Sequence, residues 1–137
     1  MKTVKDIFTA AMGLMDELGS EGEAQNRDTQ TYERRTPGIV NLMLAEYGIL
    51  AGGRCHFPQV ETLEDPVLRI PDTYALGVME YGLAANLLVD ENPAAASFYQ
   101  SRYEELRNIF FARRESDGGE AIQDMYGGIE FGRFGRW

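Results

Sequence analysis

Cys55 and His56 are the only neighbouring nucleophile and base in the chain. A thiol needs an imidazole within hydrogen-bond reach to become a thiolate, and adjacent residues of an extended loop point to opposite sides. The pair therefore reads as a loop cysteine beside an exposed histidine. Asp16–Glu17, Asp90–Glu91 and Glu104–Glu105 are consecutive acids on helices or turns, whereas carboxylates that hydrolyse glycosides converge across a cleft. With one Cys and one His, no internal disulfide, no multi-cysteine zinc site and no histidine cluster can form. The glycines near the C-terminus lack the Lys and Ser/Thr of a phosphate-binding loop. No catalytic residue, no cofactor and no metal is expected, and the chain reads as a non-enzyme.

Charge narrows the partners. Thirteen Lys and Arg against twenty-two Asp and Glu leave a net charge of −9 over 137 residues. Affinity for nucleic acid rests on cations that neutralise phosphates, so tight nucleic-acid binding is disfavoured. Arg34–Arg35 and Arg113–Arg114 are too short to form a basic patch. The start of the chain reads as an amphipathic helix and not as a signal peptide, and no apolar run reaches the ~20 residues of a membrane span. A cytoplasmic protein with no membrane partner is expected.

The elements that would position side chains are helical. Residues 4–18 repeat apolar side chains at steps of three and four, with Thr3 and Asp6 as a capping box and Gly19 as the C-terminal stop. Residues 19–28 form a loop. A second helix over residues 29–51, capped by Asp28, contains Pro37, which predicts a kinked single helix; the alternative is a shorter helix capped by Thr36. Residues 54–69 carry two prolines and no helical period, so they hold at most a short hairpin. A third helix over residues 72–89, capped by Asp72, is apolar nearly all round and belongs at the centre of a bundle or at a subunit interface. Asn92 caps a fourth, opened by Pro93 and running to residue 113; the tight turn between them makes an antiparallel hairpin.

The fold class is all-α: a small bundle of about four helices over residues 1–113, followed by an extended Gly/aromatic arm over residues 114–137. Met125, Tyr126, Ile129, Phe131, Phe134 and Trp137 give that arm a density of large apolar groups that ordinary disordered tails lack. Such residues suit docking on a partner chain.

Residues 81–88 (Tyr81-Gly82-Leu83-Ala84-Ala85-Asn86-Leu87-Leu88), the turn Asp90-Glu91-Asn92-Pro93, the run from Ala94 to Tyr99 and the segment from Arg102 to Leu106 together resemble the head–tail adaptor (connector) family of tailed bacteriophages. So does the second-helix segment from Arg35 to Glu46. The resemblance covers residues 1–113 in helix order and is a packing signature without a catalytic constellation. It implies a virion assembly protein made in the host cytoplasm and placed at the head–tail interface. There it would form a ring under the portal protein with copies of itself, meet tail or head-closure proteins, and let DNA pass without specific binding. Asp72, Glu80, Asp90 and Glu91, in a stretch free of Lys and Arg, would furnish an acidic lumen that repels DNA. The other class of reading is a small regulatory or ligand-binding helical protein in which Met12, Met15, Met43 and Met79 line an adaptable pocket.

Overall fold

Thr3 starts the first helix as its sequence implies. In the computed structural model, which describes residues 1–53 and 56–118 with side chains as far as residue 114, the Thr3 hydroxyl accepts from the Asp6 N–H and the Asp6 carboxylate accepts from the Thr3 N–H at 2.9 Å. That backbone N–H holds the Asp6 carboxyl below its ordinary range. Helix α1 spans Val4–Leu14, four residues shorter than its apolar period. Its stop is Asp16 at φ 60°, with Asp16 N–H bonding back to Gly13 O and Glu17 N–H to Met12 O at 2.9 Å. These two bonds make a Schellman motif in which an aspartate takes the left-handed position expected of Gly19.

The entry to the second helix differs from the expected Asp28 cap. Asn26, not Asp28, organises the entry to the second helix: its Oδ1 accepts from Asp28 N–H at 2.9 Å, and its Nδ2 donates to Glu17 O and Glu23 O. A single 3-10 turn, Arg27–Thr29, follows and leads into α2, Gln30–Leu50. Pro37 lies inside α2, which remains one helix of 21 residues.

The continuous third helix does not form. Instead α3 spans Asp72–Ala75 and α4 spans Met79–Leu88, with Pro71 in place of Asp72 at the first cap. The break centres on Gly77, where an added Cβ would stand 2.3 Å from the backbone oxygen of Thr73. Only glycine allows the chain to tighten so far onto its preceding turn. Helix α5 spans Pro93–Gly118, with Asn92 Oδ1 accepting from Ala95 N–H at 3.2 Å, and so outruns the expected end at residue 113. Tyr81 of α4 meets Tyr99 of α5 with ring centroids 6.5 Å apart, and the Arg102 guanidinium lies over the Tyr81 ring. The expected antiparallel hairpin is thus present.

The architecture is a small all-α bundle with four helices of ten residues or more, and no strand among the described residues. The chain divides into two compact units, Met1–Arg107 and Asn108–Trp137. In the first, α4 packs against both α1 and α2 and is the central element, as its all-round apolar sequence requires. Phe8, Met12, Val40, Met79, Leu83 and Leu87 fill the core. Met43 is buried with them, so three of the four methionines read as pocket candidates are packing groups; Met15 is half-buried. In the second unit, the Phe110 and Phe111 rings meet edge to face at 5.3 Å.

Residues 56–69 form no hairpin; they close the base of α1. Val4 N–H donates to Asp65 O at 2.9 Å and Lys5 N–H to Leu63 O at 2.7 Å, while Val67 N–H donates to Lys2 O at 2.9 Å. These carbonyls satisfy helix N–H groups that have no intrahelical partner. Asn41 of α2 holds the same segment through both of its amide atoms, donating to Val60 O at 2.9 Å and accepting from Val60 N–H at 2.8 Å.

Candidate functional site

Several polar side chains among the described residues hold helices together. Glu46 of α2 accepts from the Tyr103 hydroxyl and, at 3.0 Å, from Arg107 Nη1, both on α5. The Arg107 guanidinium also lies 5.4 Å from the centroid of the Tyr103 ring. Burial, reinforced by Glu46, pushes the Tyr103 hydroxyl far above its ordinary range, and burial pushes Tyr74 up to about 12. Both phenols stay neutral at physiological pH, so neither serves as a base. Tyr47 packs edge to face on Tyr74 at 4.8 Å and on Phe57 at 5.6 Å. The cluster is a clamp between α2, α3 and α5.

A second clamp joins the other end of α2 to the hairpin. Arg35 donates to Asn86 O at 3.1 Å and Leu87 O at 3.3 Å, covering the last carbonyls of α4. Tyr32 donates to Glu91 Oε1 at 2.6 Å, and burial, then that carboxylate, raises its hydroxyl to about 12. Tyr99 donates to Leu14 O at 2.7 Å, tying α5 to the end of α1.

The four acids read as a lumen are not brought together. Asp72 lies beside the N-terminal amine at 3.6 Å, and Asp90 and Glu91 are exposed beyond the opposite end of α4. Glu80 is 8 % exposed, with Oε1 buried and unbonded, and burial raises its carboxyl above the ordinary glutamate range. It sits in the packing of α4 instead of on a wall. A raised folded pKa means that the stability Glu80 lends is complete below the unfolded pKa and lost as pH rises through the folded one. Glu80→Gln is therefore expected to stabilise the protein at pH 7 by about 1–2 kcal/mol, since a neutral amide is less costly to bury than a carboxylate. Urea unfolding at pH 7 and near pH 4 checks this: the gain over wild type must shrink at the lower pH.

His56 is exposed, and its backbone oxygen accepts from Arg69 at 3.0 Å; Cys55 lies outside the described residues. Among the described residues no three His, Cys, Asp or Glu gather as metal ligands. No helix is long and apolar enough to cross a membrane among them. The arm residues Met125, Tyr126, Ile129, Phe131, Phe134 and Trp137 lie outside the described residues.

Several large apolar side chains stand exposed on the surface. Leu42 and Ile49 on α2 are 69 % and 74 % exposed, and Val89 and Phe98 beside the hairpin turn are 54 % and 61 % exposed. A shallow groove beside Val89 is of mixed character, with Ala85, Pro93 and Ala96 on one part of its lining and Asn86, Gln100 and Glu104 on another. The sequence carried a signal for the first pair: at 100° per residue, Leu42 and Ile49 fall opposite the seam of Thr36, Val40, Met43 and Tyr47. In comparisons with protein-family models, curated proteins and solved structures, the chain matches none.

Proposed function

We propose that this chain is a structural subunit of a tailed-phage virion, a head–tail connector that forms a ring under the portal protein. The observation that carries this reading is the pair of outward-facing apolar sites, Leu42–Ile49 on α2 and Val89–Phe98 at the hairpin turn, the second bordered by the exposed acids Asp90 and Glu91. A ring needs two different surfaces on each subunit, because head-to-tail contacts join unlike patches. Contiguous exposed apolar surface marks interaction sites, and Arg35, Glu46 and Arg107 are engaged in bonds between helices. The net charge of −9 suits a channel that DNA crosses without being held. Such a subunit acts by geometry alone, without cofactor or metal. Its partners are the portal protein, its own copies, and tail or head-closure proteins.

The test is electron microscopy of the purified chain mixed with the portal protein encoded alongside it. A ring of added density under the portal is expected, and Val89→Glu with Phe98→Glu should abolish it while the helical circular dichroism stays unchanged. Truncation after Gly118 should weaken the attachment, since the aromatic arm is the proposed grip. A chain that adds nothing to the portal under any of these conditions overturns the reading.

A further inference from the structure

The outer face of α2 carries a second helical seam with a regular alternation of sizes. Gly38, Leu42, Ala45 and Ile49 are all exposed and follow one another at steps of four, three and four residues. That is the spacing of a coiled-coil seam, here running small, large, small, large. The glycine has no role within its own fold: a Cβ at Gly38 would meet nothing within 4 Å. Glycine inside a helix lowers its stability relative to alanine, so a position with open space has a use for glycine only if something else comes close. The one acid within residues 38–50, Glu46, is turned toward Tyr103 and Arg107.

We infer that this seam pairs with itself, joining two copies of the chain through antiparallel α2 helices about a two-fold axis. Antiparallel pairing sets Gly38 against the partner's Ile49 and Leu42 against the partner's Ala45, so each large side chain meets a small one on both sides of the axis. A parallel pairing would set small against small and large against large. The interface is self-complementary, as a two-fold contact must be. Charge agrees. In a chain of net charge −9, copies approach most easily along an uncharged stripe, and Gly38, Leu42, Ala45 and Ile49 form one, with Glu33, Glu61 and Glu64 beside its start near Arg34 and Pro37. The antiparallel register also carries the exposed, positively charged Arg34 to the C-terminal end of the partner's α2, the negative pole of that helix.

Eleven helical steps make a seam about 17 Å long. A single helix pair of that length buries less than the ~1,200 Å² of stable interfaces, so the dimer is weak, with a Kd on the order of 0.1 mM. This inference does not rest on the connector reading. A two-fold contact closes on itself and cannot propagate a ring, so the dimer is a state of the free chain that opens before α2 can serve in any ring.

Sedimentation of the full chain from about 10 μM to 1 mM tests it. The wild type should pass from monomer to dimer over that range. Leu42→Glu with Ile49→Glu should remain monomeric throughout, and Gly38→Leu should weaken association at least tenfold with helicity retained, because the site has room for a side chain. In a Cys55→Ser background, mild oxidation of Gly38→Cys with Ile49→Cys should yield a covalent dimer, whereas neither single cysteine variant should. A wild type that stays monomeric at 1 mM assigns the face to a different partner and overturns the proposal. So does dimerisation unaffected by the glutamates, or cross-linking by Gly38→Cys alone, which would mean parallel helices. Failure to bind a portal protein would leave all of these readings unchanged.

Discussion

Gly82→Leu is expected to destabilise the fold by about 3 kcal/mol, the upper part of the range for overpacking a close-packed core. Gly82 lies at the crossing of α4 with α2 and α5, where an added Cβ would stand 2.6 Å from Met43 Sδ and 2.9 Å from two ring carbons of Tyr103. Met43 can rotate away, because a thioether on three flexible bonds adapts. Tyr103 cannot, since its hydroxyl is fixed on Glu46 and its ring lies under Arg107. The better helix propensity of leucine returns at most about 1 kcal/mol. Urea unfolding followed by far-UV circular dichroism measures the loss, and a loss below about 1 kcal/mol would show that α5 yields at this crossing. Gly38→Ala is the control: another glycine inside a helix, with open space around it, and an expected gain of about 0.5–1 kcal/mol.

Tyr74→Ala should be costlier still, at about 4 kcal/mol. Tyr74 is fully buried, on a helix of only four residues whose hold on the core is its side chain. The substitution removes the ring, leaves a cavity under α3, and deprives Tyr47 of the edge-to-face contact at 4.8 Å, itself worth about 0.5–1.5 kcal/mol. For a chain of this size the midpoint of thermal unfolding should fall by roughly 15 °C. Differential scanning calorimetry gives the answer. A fall of less than about 5 °C would mean that α3 is held by its backbone and by Pro71 instead.

Local signals in the sequence led to correct elements, and signals that depend on distant chain did not. The Thr3–Asp6 box, Asn92 with Pro93, and the passage of α2 through Pro37 all involve residues within one turn, so residue type alone revealed them. The end of α1 was hidden because Met15 and Leu18 extend the apolar period, while the stop depends on aspartate taking a left-handed conformation. The break at Gly77 was hidden for the opposite reason. A segment apolar on every side has no phase, and an interruption leaves no mark on it. That same lack of phase made Glu80 look like a surface acid. On α2 the phase is legible, and the angle of Leu42 puts it on the outer face, where it is exposed. What residues 56–69 do could not be read at all, because they act through backbone carbonyls, which every residue type possesses.

That last arrangement bears on how the chain matures during synthesis. The first turn of α1 takes its capping partners from Leu63 and Asp65, and Lys2 receives its bond from Val67. When the N-terminal helix first emerges from the ribosome, the residues that complete its start have yet to be translated. At about 5–20 residues per second, several seconds separate the two events. Through that interval α1 has its Thr3–Asp6 box but not its bonds to Leu63 and Asp65, and the apolar face of Val4, Ile7, Phe8 and Met12 lacks α4 to cover it. The complete start of α1 and the cover over its apolar face therefore form only once translation has passed α4.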